Sequence, residues 1–425
     1  LPFGNEFIII QYKNRWKDGL TTRPCGESMK TIVILLSLFL APACSASAAE
    51  QQLLPVEEIT IAAVGDLMLG GRAEPFLEQF GPDYPYRNVL PALRRADLIA
   101  GNLESPISAR GTAVENKKFT LRAGPLAARS LASAGIRVVS LANNHSMDFG
   151  PLALQDTMAA LNESNILFTG AGMDLNDARA PAIVKIKGRT LAFLSYSLTF
   201  PLEFFASAGR PGTAPGYADF VKADIEKVRP SADIVVVSFH WGAELMTAAK
   251  DYQIELGRQA IDWGADLVLG HHPHVLQDIE LYKGRLIVYS LGNFVFGSES
   301  DRTNWSMILL LTFRGNTLSR VEAVPIDVNN YRVKYQPRIL RGKLARDVLA
   351  GINAVSARFT TSLDIVDDRG ILNVSGPVSV QKNDTPRASA TAPDPTRPVD
   401  RQSAIASGTV TSPTVPEFPR PAPGN

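Results

Sequence analysis

The chain has 425 residues, 45% apolar and 20% charged, with a formal net charge of +1. It is long enough for one large or two ordinary domains, each with a real core. The balanced charge excludes a field that steers a polyanion as a whole and gives no argument for nucleic acid as a partner.

From Met29 the chain reads Met29-Lys30, then an apolar run (TIVILLSLFL), then small residues through Ala46-Ser47-Ala48. This order predicts a signal peptide over residues 29–48, a mature start near Ala49, and residues 1–28 as untranslated sequence ahead of the true start. The run is shorter than the ~20 residues of a membrane-spanning helix, so an uncleaved anchor is the weaker alternative. Attachment of lipid at Cys44 is weaker still, because Ala41-Pro42-Ala43 lacks the leucine-led box of such anchors. The expected location is the periplasm or cell envelope of a bacterium. Cys25 and Cys44, the only cysteines, both precede the cleavage point. Any metal in the mature protein must then be held by nitrogen and oxygen, which excludes thiolate sites and iron–sulfur clusters.

Between Pro55 and about Ser379, β-branched apolar runs alternate with helical periodicity. Strands are expected at residues 60–64, 97–100, 137–142, 191–196, 233–239, 266–270 and 286–290. Helices are expected over 87–96, 151–164 and 251–264, with a further amphipathic helix over 340–360 packed on the domain's side. The pattern predicts one α/β domain over residues 55–380. Residues 383–425, rich in Pro, Thr, Ser and Ala, are expected to form a disordered tail.

The informative residues follow the strands. Gly65-Asp66 follows the first, read as a strand end, and Gly101-Asn102-Leu103-Glu104 the second. Asn143-Asn144-His145 with Asp148 follows the third. His240-Trp241-Gly242 with Glu244 follows a later strand, then come His271-His272-Pro273-His274 with Gln277, and finally Leu291-Gly292-Asn293. In α/β sheets ligands bind outside the carboxyl ends of strands, and all five histidines fall there. Each piece alone has a bland reading: Gly65-Asp66 and Asn143-Asn144 as turn residues, Glu104 as a solvated loop carboxylate, His240 as a core histidine. Together they predict a metal site, because His, Asp and Glu clusters are how such sites are built. The set Asp66, Glu104, Asn144, His240, His272 and His274 mixes imidazole, carboxylate and amide, which suits Mn, Fe or Zn, as one or two ions. His145, next to Asp148, is placed to donate a proton to a leaving oxygen.

The motifs AVGDLMLGG, GNLESPIS, LANNHSMDFG, SFHWGAE, GHHPHVLQ and YSLGNFVF, in that order, resemble the CapA-type poly-γ-glutamate capsule proteins, a branch of the calcineurin-like metallophosphoesterases. The resemblance spans Glu57 to Phe359. It implies a four-layer α/β/β/α sandwich, with the six residues above as metal ligands and His145, aided by Asp148, as the catalytic acid. Where the wider family carries Asp-x-His, this chain has Met68 in the third position, so one metal position lacks an imidazole. Asn143, Glu244, His271, Gln277 and Asn293 are expected to orient ligands or touch substrate. Two functions follow: a metal-dependent hydrolase of a phosphoester or of a γ-glutamyl amide, or a non-catalytic accessory protein that binds an anionic polymer. Either would act beside a polymer synthesis or export complex in the membrane.

Overall fold

The computed structural model describes residues 57–374. The expected signal peptide, both cysteines and the tail lie outside the described residues. In chain order the first strands are β1 (Glu58–Met68), β2 (Leu98–Leu103), β3 (Ile136–Ser140), β4 (Leu167–Thr169), β5 (Ala171–Gly172), β6 (Ala182–Ile186), β7 (Arg189–Ser197), β8 (Gly212–Thr213) and β9 (Ile234–His240). Then follow β10 (Leu267–His271), β11 (Ile279–Tyr282), β12 (Arg285–Val288), β13 (Asn293–Phe296), β14 (Trp305–Arg314), β15 (Thr317–Asp327), β16 (Arg338–Ile339), β17 (Asp364–Val366) and β18 (Arg369–Asn373).

Among the described residues, ten strands form one sheet along the path β17-β18-β15-β14-β1-β2-β3-β4, with β13 beside β1 and β16 beside β15. Six strands form a second sheet in the order β11-β12-β10-β9-β7-β6. Neighbours among β1 to β4 run parallel, as do β7, β9, β10 and β12 in the second sheet. Within each sheet the carboxyl ends of these strands therefore share one edge.

Side-chain alternation builds the layers, because successive residues of a strand face opposite sides. Ile59, Ile61 and Ala63 of β1 pack with Phe193 of β7, Val236 of β9 and Leu269 of β10 in a core between the two sheets. Their neighbours Ala62 and Val64 face outward onto Leu131, Leu154 and Leu161 of the helices Leu126–Ser133 and Gly150–Glu163. On the far side, Val235 and Val237 pack on Val221, Ile225, Leu256 and Ala260 of the helices Ala218–Val228 and Asp251–Asp262. The result is the four-layer α/β/β/α sandwich expected from the sequence.

Three expectations change. The helix read over 87–96 is a single turn, Leu90–Leu93, because a proline at Pro91 fits only a first turn and would clash with the carbonyl four residues earlier. Gly65-Asp66 is not a strand end: β1 runs through it to Met68. Glycine is required there, since a Cβ on Gly65 would meet the Gly292 carbonyl oxygen at 2.0 Å. The helix Gly342–Ser356 does not simply lie on the side of the domain. Ala345, Val348, Leu349 and Ile352 enter the core between the sheets, and the Ser356 hydroxyl accepts the Ile279 N–H of β11 at 2.8 Å. The long antiparallel hairpin β14–β15 was absent from the sequence reading, which followed the alternation of parallel strands and helices.

Candidate metal centre

The first sheet supplies three side chains. Asp66 lies in the last turn-ward residues of β1, Glu104 follows β2 directly, and Asn144 sits in the loop after β3. Asp66 and Glu104 are fully buried. Asn102 joins them, two residues before Glu104 and so on the same strand face: its amide donates to Asp66 Oδ1 at 2.9 Å and reaches Glu104 Oε2 at 3.4 Å. Asn143 fixes the loop, donating to Asn102 Oδ1 at 3.1 Å and to the Leu103 carbonyl at 2.8 Å. Its own Oδ1 accepts from the His145 and Ser146 amides at 3.0 and 2.9 Å.

The second sheet supplies imidazoles. His240 ends β9 and its Nε2 meets Asn144 Oδ1 at 2.8 Å and Glu104 Oε1 at 3.5 Å. After β10 the backbone turns sharply: His272 has φ 95° and His274 φ 59°. That left-handed region is costly for a residue with a Cβ, and such strain concentrates at functional sites. The turn brings His274 Nδ1 to 3.3 Å from Asp66 Oδ2 and Nε2 to 3.7 Å from Glu104 Oε1. Asn293 Oδ1 accepts from His274 Nδ1 at 2.9 Å and sets the ring's orientation. The His272 ring stands 4.8 Å from that of His240. His271 points to the other side of Asp66, with Nδ1 3.1 Å from Oδ1.

Ligand atoms of Glu104, His272 and His274 lie within 4.8 Å of one another, as do those of Asp66, Glu104 and His240. Glu104 belongs to both groups. Its Oε1, like His272 Nδ1, is buried without a hydrogen-bond partner. Buried polar atoms are ordinarily paired, and an orphaned carboxylate oxygen facing imidazole nitrogens is a position that a cation would satisfy. The donor set therefore fits a divalent metal of the Mn, Fe or Zn type. Met68 is buried at the end of β1 and brings no donor of that kind.

The electrostatics agree. Burial pushes the Glu104 carboxyl well above the usual range, with His274 opposing that rise and Asp66 adding to it. Burial also raises Asp66, but hydrogen bonds and charge from His271 and His274 outweigh it and hold the group well below normal. Burial keeps His240 well below the usual histidine value and takes His272 down to about 3, leaving both with free lone pairs. His274 is the exception. Burial works against its charge, yet Glu104 and Asp66 raise it to about 10.

Beside this cluster His145 Nδ1 meets Asp148 Oδ2 at 2.6 Å, and its Nε2 faces Glu104 Oε1 at 4.0 Å. Burial lowers the imidazole's proton affinity, against the pull of Asp148. Asp148 is fully buried and also accepts the Leu121 amide at 2.6 Å.

Two residues expected to orient ligands or touch substrate make no hydrogen bond to the cluster among the described residues. Gln277 spends its amide on the Met246 and Ala248 carbonyls at 2.8 and 3.3 Å and accepts from Gln253 at 3.2 Å, so it ties down the loop after β9. Glu244 is exposed and acts on Glu104 only through its field. Two residues were missed. Asn102 was legible, because it shares a strand face with Glu104. Lys117, whose ammonium contacts Asp148 and the Asn144 carbonyl, carries no motif that could have marked it.

Residues 60–298 match the family model described as "Bacterial capsule synthesis protein PGA_cap". The chain belongs to this family. Every residue of the metal cluster and the His145–Asp148 pair falls inside the matched span of the PGA_cap protein. It is 36% identical to the PGA biosynthesis protein CapA of Bacillus subtilis (strain 168) over 273 residues, covering 64% of this chain and 72% of that one. It is 33% identical to the capsule biosynthesis protein CapA of Bacillus anthracis over 279 residues, covering 64% and 68%. Among solved structures, a Haemophilus influenzae NAD nucleotidase aligns with 64% of this chain and 56% of its own, at 11% identity and a TM-score of 0.41.

Proposed function

We propose that this PGA_cap protein is an exported metal-dependent hydrolase of poly-γ-glutamate capsule or exopolymer synthesis, cleaving a phosphoester or a γ-glutamyl amide. The observation that carries this reading is Glu104 Oε1, a buried orphan within 4.0 Å of nitrogens on His145, His240 and His274. Glu104, His272 and His274, with Asp66, His240 and Asn144, would hold one or two divalent ions. When bound, such an ion supplies Lewis acidity toward a phosphoryl or acyl oxygen.

The chain's own residues do the rest. Asn102, His271 and Asn293 hold Asp66 and His274 in register for binding. Asp148 engages the Nδ1 proton of His145, so Nε2 is the ring atom that exchanges a proton with substrate, and once protonated it serves the leaving oxygen. Among the described residues no helix is long and apolar enough to cross a membrane. Association with a membrane synthesis complex would rest on partners or on the N-terminal segment.

Met68 favours a second reading. With no imidazole at the end of β1, the centre would bind an anionic polymer through a partly loaded metal site and assist its export or anchoring. Metal analysis of the purified full chain, with assays on a generic phosphodiester and on poly-γ-glutamate, separates the two. Bound metal, and turnover lost in His145→Ala and His274→Ala, supports the hydrolase. Metal-free protein, or turnover unchanged in both variants, overturns it. Polymer retention without turnover supports the accessory role.

A further inference from the structure

Lys117 lies on the loop between β2 and the helix Leu126–Ser133, and its side chain is only 15% exposed. Its ammonium contacts the Asn144 carbonyl and Asp148 Oδ1. It stands 3.1 Å from His145 Nδ1 and 5.1 Å from the centre of the Phe204 ring. The chemistry of these contacts fixes where protons sit. His145 Nδ1 and Asp148 Oδ2, 2.6 Å apart, need a proton between them, since a lone pair facing a carboxylate so closely is repulsive. An ammonium only donates. Nδ1, already holding its proton, cannot accept from it, so Lys117 directs its N–H bonds at Asp148 Oδ1 and the Asn144 carbonyl. The Leu121 amide occupies Asp148 Oδ2 at 2.6 Å. One loop therefore grips both oxygens of a fully buried carboxylate.

We propose that Lys117 is a positioning residue of the metal centre. Through Asp148 Oδ1 it fixes the carboxylate whose other oxygen meets His145 Nδ1 at 2.6 Å, and so sets how the ring faces Glu104. Through the Asn144 carbonyl it holds the amide that meets His240 Nε2 at 2.8 Å. Without Lys117 the Asp148 carboxylate loses its counter-charge and keeps only the Leu121 amide, so the imidazole and the Asn144 carbonyl both lose a fixed support. The assignment rests on the reading of Asn144 and His145 as parts of a metal centre, but its main readout does not depend on turnover or on bound metal.

The test uses the full chain labelled with 15N-histidine, with His145 signals identified by their loss in His145→Gln. Two-bond proton–nitrogen spectra give the tautomer and the shifts and widths of the ring signals, and competition with a chelator gives the zinc affinity. The wild type should show the Nδ1–H form with sharp signals. Lys117→Met should keep that form but shift or broaden the His145 ring signals and weaken zinc roughly 10- to 100-fold, and Lys117→Arg should restore both. A folded Lys117→Met protein with wild-type His145 ring signals and zinc affinity overturns the proposal. If Lys117→Met fails to fold, Lys117→Gln, which keeps a donor without the charge, takes its place with the same two outcomes. Failure of the wild type to bind zinc would sink the metal reading, and the comparison of His145 ring signals would still decide the role of Lys117.

Discussion

Glu104 Oε1 and His274 Nε2 face each other at 3.7 Å across the junction of the two sheets. That is too long for a hydrogen bond, and close enough that both atoms, with His272, could serve one cation. Without an ion His274 is held protonated by Glu104 and Asp66 together, which is why it is raised to about 10 against the effect of burial. Metal binding must then expel a proton from His274. Affinity for zinc or manganese should rise with pH and be tighter at about pH 8.5 than at about pH 6, against the ordinary histidine value of ~6.5. The metal-free fold carries the opposite sign. Stability from the His274 proton is complete below about 6.5 and lost as pH rises toward 10. Calorimetry in buffers of different ionisation heats reads the proton count, and a pH-independent affinity without proton release would refute this.

Glu104→Gln separates binding from folding. The substitution keeps the shape of the side chain and removes the charge that both ligand groups share. Metal should be lost, whereas the metal-free variant should unfold at the same temperature as the parent or higher. The reason is that burial pushes the Glu104 carboxyl well above its usual range, so its charge opposes folding of the metal-free protein and His274 offsets only part of that cost. Metal content and thermal unfolding of chelated samples check the two halves separately.

His145→Gln should leave metal content intact and lower kcat about 10²- to 10⁴-fold on whichever substrate the parent turns over. Asp148→Asn should follow in the same direction, because Asp148 orients the ring. Loss of metal from His145→Gln would instead make His145 a ligand.

Trp241 tests how firmly the imidazole of His240 is backed. It is fully buried, stacks on Phe239 at 4.6 Å and donates from Nε1 to the Tyr289 carbonyl at 2.9 Å. Trp241→Ala should cost about 3–5 kcal/mol, read as a lower urea midpoint of the metal-free protein.

Much of this was legible in the sequence because buried parallel strands are continuous β-branched runs, and their carboxyl ends mark where ligands gather. Asp66, Glu104, Asn144, His240, His272 and His274 converge, although Asp66 does so from within β1 rather than after it. What sequence could not give is direction. Gln277, three residues after His274, turns away to hold a loop, and Lys117 reaches the site from a polar loop whose position depends on the tertiary fold. His271 and His274 approach opposite oxygens of Asp66, a division that depends on positive φ at His272 and His274, and neither residue type announces one.

The division of ligands between the two sheets has a mechanical consequence. The contact of Asp66 with His271 joins residues 205 positions apart, so the centre works as a clasp on a long loop of chain and does not exist until both halves have docked. A nascent or half-folded chain presents no such pocket and cannot retain an ion in it. Whatever fastens the clasp stabilises the closed state by an amount that grows with the logarithm of its free concentration above Kd. Metal supply would then govern how long the folded domain survives as well as what it can catalyse.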